Sequence, residues 1–190
     1  MPRTIRSSSK GFPAAVAARA RKIRLLLMDV DGVLTGGQIY LIPMADGTAV
    51  EAKAFHSQDG AGLKMAVDAG LRTGLITGRQ SPATTRRAQE VGMEFVVQGR
   101  SEKLSAYEEI LRMAGVRDAE AAYIGDDLPD LPILQRVGLA IAVANAVPEV
   151  RGAAHFVTRR GGGEAGVREA IEGILKAQGK WVAAAKRARA

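Results

Sequence analysis

The run Leu-Leu-Leu-Met-Asp-Val-Asp-Gly-Val-Leu-Thr at residues 25–35 decides the fold class of this chain. Its first four residues are apolar, which is typical of a strand buried on both faces. Side chains two positions apart on a strand point the same way, so Asp29 and Asp31 can face one target. Two carboxylates this close repel each other unless one is protonated or a cation lies between them. A hard divalent ion such as Mg²⁺ prefers carboxylate and carbonyl oxygens, although two solvated acids at a strand end would leave the same pattern.

Outward from this run, apolar strand-like segments alternate with helical patterns. Further strands are predicted at residues 71–77, 95–97, 121–124, 139–143 and 155–158, and helices at 59–70, 81–92, 101–115 and 165–178. This alternation predicts βαβ units and therefore an α/β fold, a three-layer Rossmann-like parallel sheet between helices. Residues 36–56 instead predict a β-hairpin, because two strand-like stretches flank an Asp-Gly turn.

The composition is that of an ordinary globular domain. The chain has 190 residues, of which 47% are hydrophobic and 25% charged, and it is long enough for a sizeable core. It has no cysteine, which excludes disulfides and thiolate metal sites. No apolar run approaches membrane-spanning length, and we expect neither a secretory signal nor contact with a membrane. We therefore expect a cytoplasmic protein.

The net charge of +7 raises the question of nucleic-acid binding. Residues 1–24 and 176–190 contain basic residues and no acidic residue, whereas the middle of the chain carries more acidic than basic residues. A middle with that balance offers no basic face to a phosphate backbone, so we predict no nucleic-acid partner. We expect a basic N-terminal segment over 1–24, a domain over 25–180 and a basic C-terminal tail over 181–190, with both ends solvated.

Polar residues that could carry chemistry follow the predicted strands. The carboxyl ends of parallel strands meet at one edge of a sheet, where ligands bind. Asp29, Asp31, Thr77, Asp126 and Lys103 should therefore converge there. Carboxylates, a hydroxyl and an ammonium together suit phosphoryl transfer, because one carboxylate can attack phosphorus, a second can move protons, and cations neutralise the transition state.

The chain resembles the haloacid dehalogenase superfamily of phosphatases, whose four motifs occur here in order. They are residues 29–35, Thr77, Lys103 and the Gly-Asp-Asp-Leu-Pro-Asp run at 125–130. The resemblance implies that Asp29 is the nucleophile, which forms an aspartyl-phosphate, and that Asp31 is the general acid and base.

The same resemblance assigns the remaining site residues. Thr77 and Lys103 would hold phosphoryl oxygens, and Mg²⁺ would be bound by Asp29, the backbone carbonyl of Asp31, and Asp126. Asp127 and Asp130 would be supporting acids near the metal. An alternative reading of these two acids is that they satisfy backbone amides where the next helix begins.

More narrowly, residues 25–180 resemble the 3-deoxy-D-manno-octulosonate 8-phosphate phosphatases, a branch of the superfamily without a cap domain. Lys-Ala-Phe-His at 53–56, Thr-Gly-Arg at 77–79 and Tyr-Ile-Gly-Asp-Asp-Leu-Pro at 123–129 carry this likeness. It implies a small-molecule sugar-acid phosphate as substrate, held by Thr77, Gly78, Arg79 and Lys53. Arginine also suits a carboxylate on physical grounds, because it can bind one in a bidentate way.

Two alternatives stay open. Nonulosonate 9-phosphate phosphatases resemble this branch but usually have Glu at the position of Arg79, and some related domains are catalytically silent oligomerisation modules. The chain also departs from the branch at Asn145, where Asp is usual, and in the spacing of the loop at 161–164. The octulosonate resemblance implies a role in supplying lipopolysaccharide precursors.

Without a cap domain, something else must exclude water from the site. The resemblance implies a homotetramer in which the hairpins at residues 36–56 pair with one another. An isolated two-stranded ribbon is marginal in water, and Ile39, Tyr40, Leu41 and Ile42 give this hairpin two apolar faces. The hairpin therefore favours self-association independently of the resemblance.

Overall fold

The computed structural model describes residues 11–188 and contains a six-stranded, wholly parallel sheet. The strands in chain order are β1 (Leu25–Met28), β2 (Tyr40–Pro43), β3 (Ala49–Ala52), β4 (Arg72–Ile76), β5 (Phe95–Val97), β6 (Ala121–Gly125), β7 (Leu139–Ala142) and β8 (Phe156–Val157). The large sheet has the order β5-β4-β1-β6-β7-β8, and β2 and β3 form a separate antiparallel pair. The predicted α/β class and inserted hairpin are confirmed.

Helices cover both faces of this sheet and complete the three layers. They are α1 (Ala14–Ala20), α2 (Ser57–Asp68), α3 (Pro82–Glu90), α4 (Lys103–Ala114), α5 (Leu131–Leu134), α6 (Pro148–Ala153), α7 (Gly166–Ala177) and α8 (Trp181–Arg187). Helices α1, α2, α7 and α8 pack together on one side, and α4, α5 and α6 on the other. Within residues 11–188 the hairpin is the sole insertion between β1 and α2, and no cap domain is present.

The position of β1 in the sheet explains where the site forms. All four residues of β1 are fully buried, as expected for a central strand covered on both faces. The chain passes from β1 to β4 and β5 on one side, then crosses to β6, β7 and β8 on the other. Such a reversal of strand order opens a crevice at the carboxyl ends of the central strands, where ligands bind.

The hairpin formed by β2 and β3 lies outside the core. Its apolar side chains are largely exposed, with Leu41 at 64% and Ile42 and Val50 at 51% each. Ile42 is paired directly with Val50 across the two strands, and Leu41 with Glu51. The two pairs lie on opposite faces of the ribbon, because neighbouring residues of a strand alternate.

The prediction that both chain ends are solvated is wrong for the described part of the N-terminal segment, whereas most residues of the described C-terminal tail are exposed. Phe12 packs on Phe156 with ring centroids 4.7 Å apart, and Val16 and Ala20 of α1 are buried in the core. At the other end, Ala184 of α8 is buried. The basic residues had suggested solvation, but amphipathic helices place apolar side chains against α7 and leave the charges outside. Residues 1–10 and 189–190 lie outside the described residues.

Within residues 11–188, every helix is too short or too polar to cross a lipid bilayer.

Candidate active site

The loop that follows β1 is held by its own backbone. The Asp29 amide donates to the carbonyl of Ile124 on β6 at 3.0 Å, which extends the sheet by one residue. The carbonyl of Val30 then accepts from the amides of Leu34 and Thr35 at 2.9 and 3.0 Å. These bonds fix the backbone that carries Asp29 and Asp31 at the carboxyl end of β1.

Gly32 allows Asp126 to approach the same loop. Its φ of +96° lies in the region that favours glycine. A Cβ at this position would overlap the carboxylate of Asp126, which follows β6. The backbone at Gly32 and the Asp126 side chain are therefore packed directly together, and the first and last motifs of the chain meet.

Lys103, the first residue of α4, lies between two acids. Its Nζ is 3.0 Å from Oδ1 of Asp29 and 2.8 Å from Oδ1 of Asp130. The side chain is 6% exposed. Burial lowers the pKa of Lys103, but the facing carboxylates of Asp29 and Asp130 outweigh that effect, so its pKa is raised. The ammonium is therefore charged and placed beside the Asp29 carboxylate.

Asp130 is completely buried and uses both oxygens as acceptors. Oδ1 accepts from Lys103 Nζ at 2.8 Å and from the Tyr123 hydroxyl at 2.8 Å. Oδ2 accepts from the amides of Asp126 and Asp127 at 3.0 and 3.4 Å. Asp130 thus accepts from two backbone amides, as the alternative interpretation expects. It also fixes the Lys103 ammonium.

Asp127 differs from Asp130 although the two were grouped in the sequence analysis. Its side chain is exposed and accepts a hydrogen bond from the Leu128 amide at 2.8 Å. It therefore caps the short turn that begins at Leu128. This contact is the one that the alternative interpretation expects for Asp127.

The remaining acids form a site that fits a divalent cation. Carboxylate oxygens of Asp29, Asp126 and Asp130 lie within 4.8 Å of one another. Because the Asp130 oxygens already accept four hydrogen bonds, Asp29 and Asp126 are the available ligands of this group. Oδ1 of Asp126 is buried with no hydrogen-bond partner among the described residues. An oxygen in that condition fits a bound cation, and oxygen ligands suit Mg²⁺.

The electrostatics of the two acids support the same assignment. Burial raises the pKa of Asp29 to about 6, against the lowering effect of Lys103. Burial, together with the neighbouring carboxylates of Asp29 and Asp130, raises the pKa of Asp126 to about 7. Each group therefore ionises at a higher pH than an exposed aspartate does. A divalent cation between them would lower both pKa values, because it favours the charged forms.

Thr77 brings the second motif to the same edge. Its amide donates to the carbonyl of Val97 at 3.0 Å, so the chain leaves the sheet only after this residue. The side chain is buried, and its hydroxyl oxygen accepts from the Arg79 amide at 3.3 Å. The hydroxyl proton remains available to donate to a ligand. The following Gly78 and Arg79 are exposed.

Lys53 and Arg79 reach the site but are paired with acids. The Lys53 ammonium contacts the Asp31 carboxylate and lies 3.4 Å from Oε1 of Glu51. The Arg79 guanidinium bonds Glu51 and lies 4.0 Å from Oδ2 of Asp31. The hydrogen bond from Arg79, helped by Lys53, lowers the pKa of Glu51. We call these four residues, Asp31, Glu51, Lys53 and Arg79, the hairpin ion cluster.

Three residues at the site were not identified as site residues from the sequence. Glu51 looks like a solvated acid of a hairpin strand, and Tyr123 like one more core residue of β6. Asn145 stood out only as a departure from the related branch. Its amide donates to the Gly32 carbonyl at 3.2 Å, and its oxygen accepts from the Gly162 amide at 2.6 Å. A signal did exist for Tyr123, because a phenol in a buried strand must find a hydrogen-bond partner.

Comparison with known proteins finds relatives that match most of the chain. The haloacid dehalogenase-like hydrolase family matches residues 84–171. A 3-deoxy-D-manno-octulosonate 8-phosphate phosphatase of Escherichia coli K12 is 41% identical over 167 residues, which are 88% of this chain and 87% of that protein. The crystal structure of a phosphatase of the same name from Yersinia pestis is 42% identical, with a TM-score of 0.84 over 89% of each chain. That of Moraxella catarrhalis, in complex with a magnesium ion, a phosphate ion and KDO, is 39% identical, with a TM-score of 0.86 over 93% of this chain and 99% of the other.

Proposed function

Because the chain belongs to the family of 3-deoxy-D-manno-octulosonate 8-phosphate phosphatases, we propose that it hydrolyses that sugar-acid phosphate to the free sugar acid and phosphate. The chain is a phosphoric monoester hydrolase of the haloacid dehalogenase-like class. The observation that carries the proposal is the placement of the charged Lys103 ammonium 3.0 Å from Asp29, with Asp126 packed on the adjacent Gly32. This is a carboxylate held in place for attack, next to cationic charge.

In the proposed reaction, Asp29 and Asp31 act in turn. A carboxylate oxygen of Asp29 attacks phosphorus, and the bond from phosphorus to the sugar oxygen breaks. Asp31 gives a proton to the leaving sugar oxygen and then takes one from water, which attacks the phosphorus of the aspartyl-phosphate. Lys103 and the Thr77 hydroxyl neutralise charge on the phosphoryl oxygens. Asp130 holds Lys103 for this task.

Magnesium fits the acids of this site. Asp29, Asp126 and the backbone carbonyl of Asp31 would hold the ion. When bound, it supplies positive charge that offsets repulsion between the nucleophile and the phosphate dianion. The raised pKa values of Asp29 and Asp126 support this assignment, because a cation beside them would offset the cost of burying their charges.

We assign recognition of the sugar acid to the edge of the site near the hairpin. Gly78, Arg79 and Lys53 lie there, and two cations suit a carboxylate.

A nonulosonate 9-phosphate is the second candidate substrate, and Arg79 argues against it because a glutamate is usual there in those enzymes. The ordered set of Asp29, Lys103 and Asp126 argues against a catalytically silent module. The product would enter lipopolysaccharide precursor synthesis in the cytoplasm.

The proposed function is tested by phosphate release from 3-deoxy-D-manno-octulosonate 8-phosphate, a nonulosonate 9-phosphate and D-arabinose 5-phosphate, each with Mg²⁺ and with a chelator. We expect the highest kcat/KM for the octulosonate ester, with a loss of at least about 100-fold in chelator. A preference for the nonulosonate ester would keep the chemistry and change the substrate. Absence of turnover on all three would favour the silent module.

We further propose that the chain assembles as a homotetramer through the hairpin at residues 36–56. The support is its exposed apolar surface, since Tyr40, Leu41, Ile42 and Val50 are each more than half exposed. Exposed apolar patches of this kind mark interaction sites. A ribbon of two strands also gains stability when further strands pair with it.

Ile42→Lys tests this assembly without touching the hairpin ion cluster, because Ile42 pairs with Val50 on the opposite face from Glu51. We expect the wild-type protein to sediment as four chains and the variant as a smaller species, because a charge would be buried between hairpins. Met113→Lys, on the exposed face of α4 where Met113 is 74% exposed, is the control and should leave the mass unchanged. A monomeric wild-type protein would contradict the proposal.

A further inference from the structure

Ion pairs connect the hairpin to the loops that carry the site residues. Within residues 11–188, two ion pairs link the hairpin to the rest of the protein, Lys53 with Asp31 and Glu51 with Arg79, and both belong to the hairpin ion cluster. Glu51 is itself on β3, so its carboxylate spans from an otherwise exposed ribbon to the loop after β4.

Glu51 is placed unusually for a residue of this ribbon. The Glu51 side chain is 16% exposed, whereas the neighbouring residue on the strand, Val50, is 51% exposed. Its Oε1 is buried without a hydrogen bond, and Oε2 accepts from Arg79. A carboxylate is drawn into the protein here because two cations face it, which offsets the cost of desolvation.

The same two cations are those assigned to the carboxylate of the substrate. In this structure the Lys53 side chain is 2% exposed and lies between Asp31 and Glu51. Arg79 is 45% exposed, and the edge of its guanidinium that bonds Glu51 is already occupied. A substrate carboxylate that needs this edge must therefore compete with a carboxylate of the protein.

We propose that Glu51 is an internal competitor that occupies Arg79 until the carboxylate of a sugar-acid phosphate displaces it, and that it thereby sets the affinity of the site for that carboxylate. This inference rests on the proposed function, because it assumes a substrate with a carboxylate. A sugar phosphate without that group has nothing that can replace Glu51, so the Glu51–Arg79 pair stays intact while it binds. The internal pair thus lowers the affinity for a sugar-acid phosphate and leaves the affinity for a neutral sugar phosphate unchanged.

Glu51→Gln tests the competition, because the amide keeps the size of the side chain and removes the charge that holds Arg79. For a half-exposed ion pair, we expect the KM for octulosonate 8-phosphate to fall about fourfold, with kcat within about twofold of wild type. The KM for D-arabinose 5-phosphate, which has no carboxylate, should not change. Equilibrium titration with the free sugar acid should show the same fall in Kd, independently of turnover.

Glu94→Gln is the matched control. Glu94 also bonds an arginine, Arg72 at 2.6 Å, but at the opposite end of β4 from the site. The Glu94→Gln variant should have the same kcat and KM as the wild-type protein for both substrates. In an Arg79→Ala background, Glu51→Gln should no longer lower the KM, because the residue for which the two carboxylates compete is gone.

The outcomes separate this role from the function on which it rests. Failure of the wild-type protein to hydrolyse octulosonate 8-phosphate would refute the proposed function and, with it, the role of Glu51. Normal wild-type turnover with a raised or unchanged KM in Glu51→Gln would refute only the competition, and a raised KM would show that Glu51 positions Arg79. An equal fall in KM for both substrates would also overturn it, since that is a general charge effect.

Discussion

Asp29→Asn is expected to lower phosphate release by at least about 1000-fold at saturating Mg²⁺, because an amide oxygen is a far poorer nucleophile than a carboxylate. The substitution keeps the shape of the side chain beside Lys103, 3.0 Å away. It also removes a charge whose burial is unfavourable, as the pKa of about 6 indicates. We therefore expect the free energy of unfolding to change by no more than about 1 kcal/mol.

The measurement is single-turnover phosphate release with excess enzyme, so that slow residual chemistry is separated from product release. Asp127→Asn is the control, because that acid is exposed and its side chain caps the turn that begins at Leu128. It should retain turnover within about threefold of wild type. Residual activity above about 1% in Asp29→Asn, with Mg²⁺ binding intact, would mean that another group attacks phosphorus.

The fold could be predicted from the sequence because its decisive signals are local. A four-residue apolar strand followed by acids, helices of ordinary length and an Asp-Gly turn each constrain a short stretch of chain. The parallel order of the strands then brings Asp29, Thr77 and Asp126 to one edge without further information. The core of the site was predictable for the same reason.

The supporting residues were not predictable, because they depend on contacts between distant segments. Glu51 is 28 residues from its partner Arg79, and Asn145 is 113 residues from Gly32. Neither has a local pattern that sets it apart from a solvated polar residue. The packing of α1 was missed for a related reason, since a basic stretch hides the apolar face formed by Val16 and Ala20. Helical spacing of those residues was the signal available.

Asp127 and Asp130 belong to the same short motif but lie in different environments. Both follow β6, yet Asp127 is exposed and Asp130 is fully buried. The difference comes from Gly125, where a Cβ would overlap the Asp130 side chain. Glycine there lets the chain turn closely enough for Asp130 to enter the core beneath the loop.

Asp130→Asn should therefore destabilise the protein by about 3 kcal/mol, whereas Asp127→Asn should change the free energy of unfolding by less than about 0.5 kcal/mol. The buried Asp130 carboxylate accepts hydrogen bonds from the Lys103 ammonium, the Tyr123 hydroxyl and two backbone amides. An asparagine side chain has one acceptor oxygen, and its NH₂ group is itself a donor. That group would have to face either Lys103 and Tyr123 or the two backbone amides, where no acceptor is offered to it.

Urea unfolding in chelator and in Mg²⁺ measures the effect of Asp130→Asn and separates two explanations of it. If Asp130 acts as a buried support, the loss of stability is the same in both conditions, and Tyr123→Phe gives a smaller loss of about 1 kcal/mol by removing one of the four donors. If Asp130 were instead a metal ligand, stability in chelator would be nearly unchanged and only the gain on adding Mg²⁺ would shrink. Because its four acceptor positions are already filled, we expect the first result.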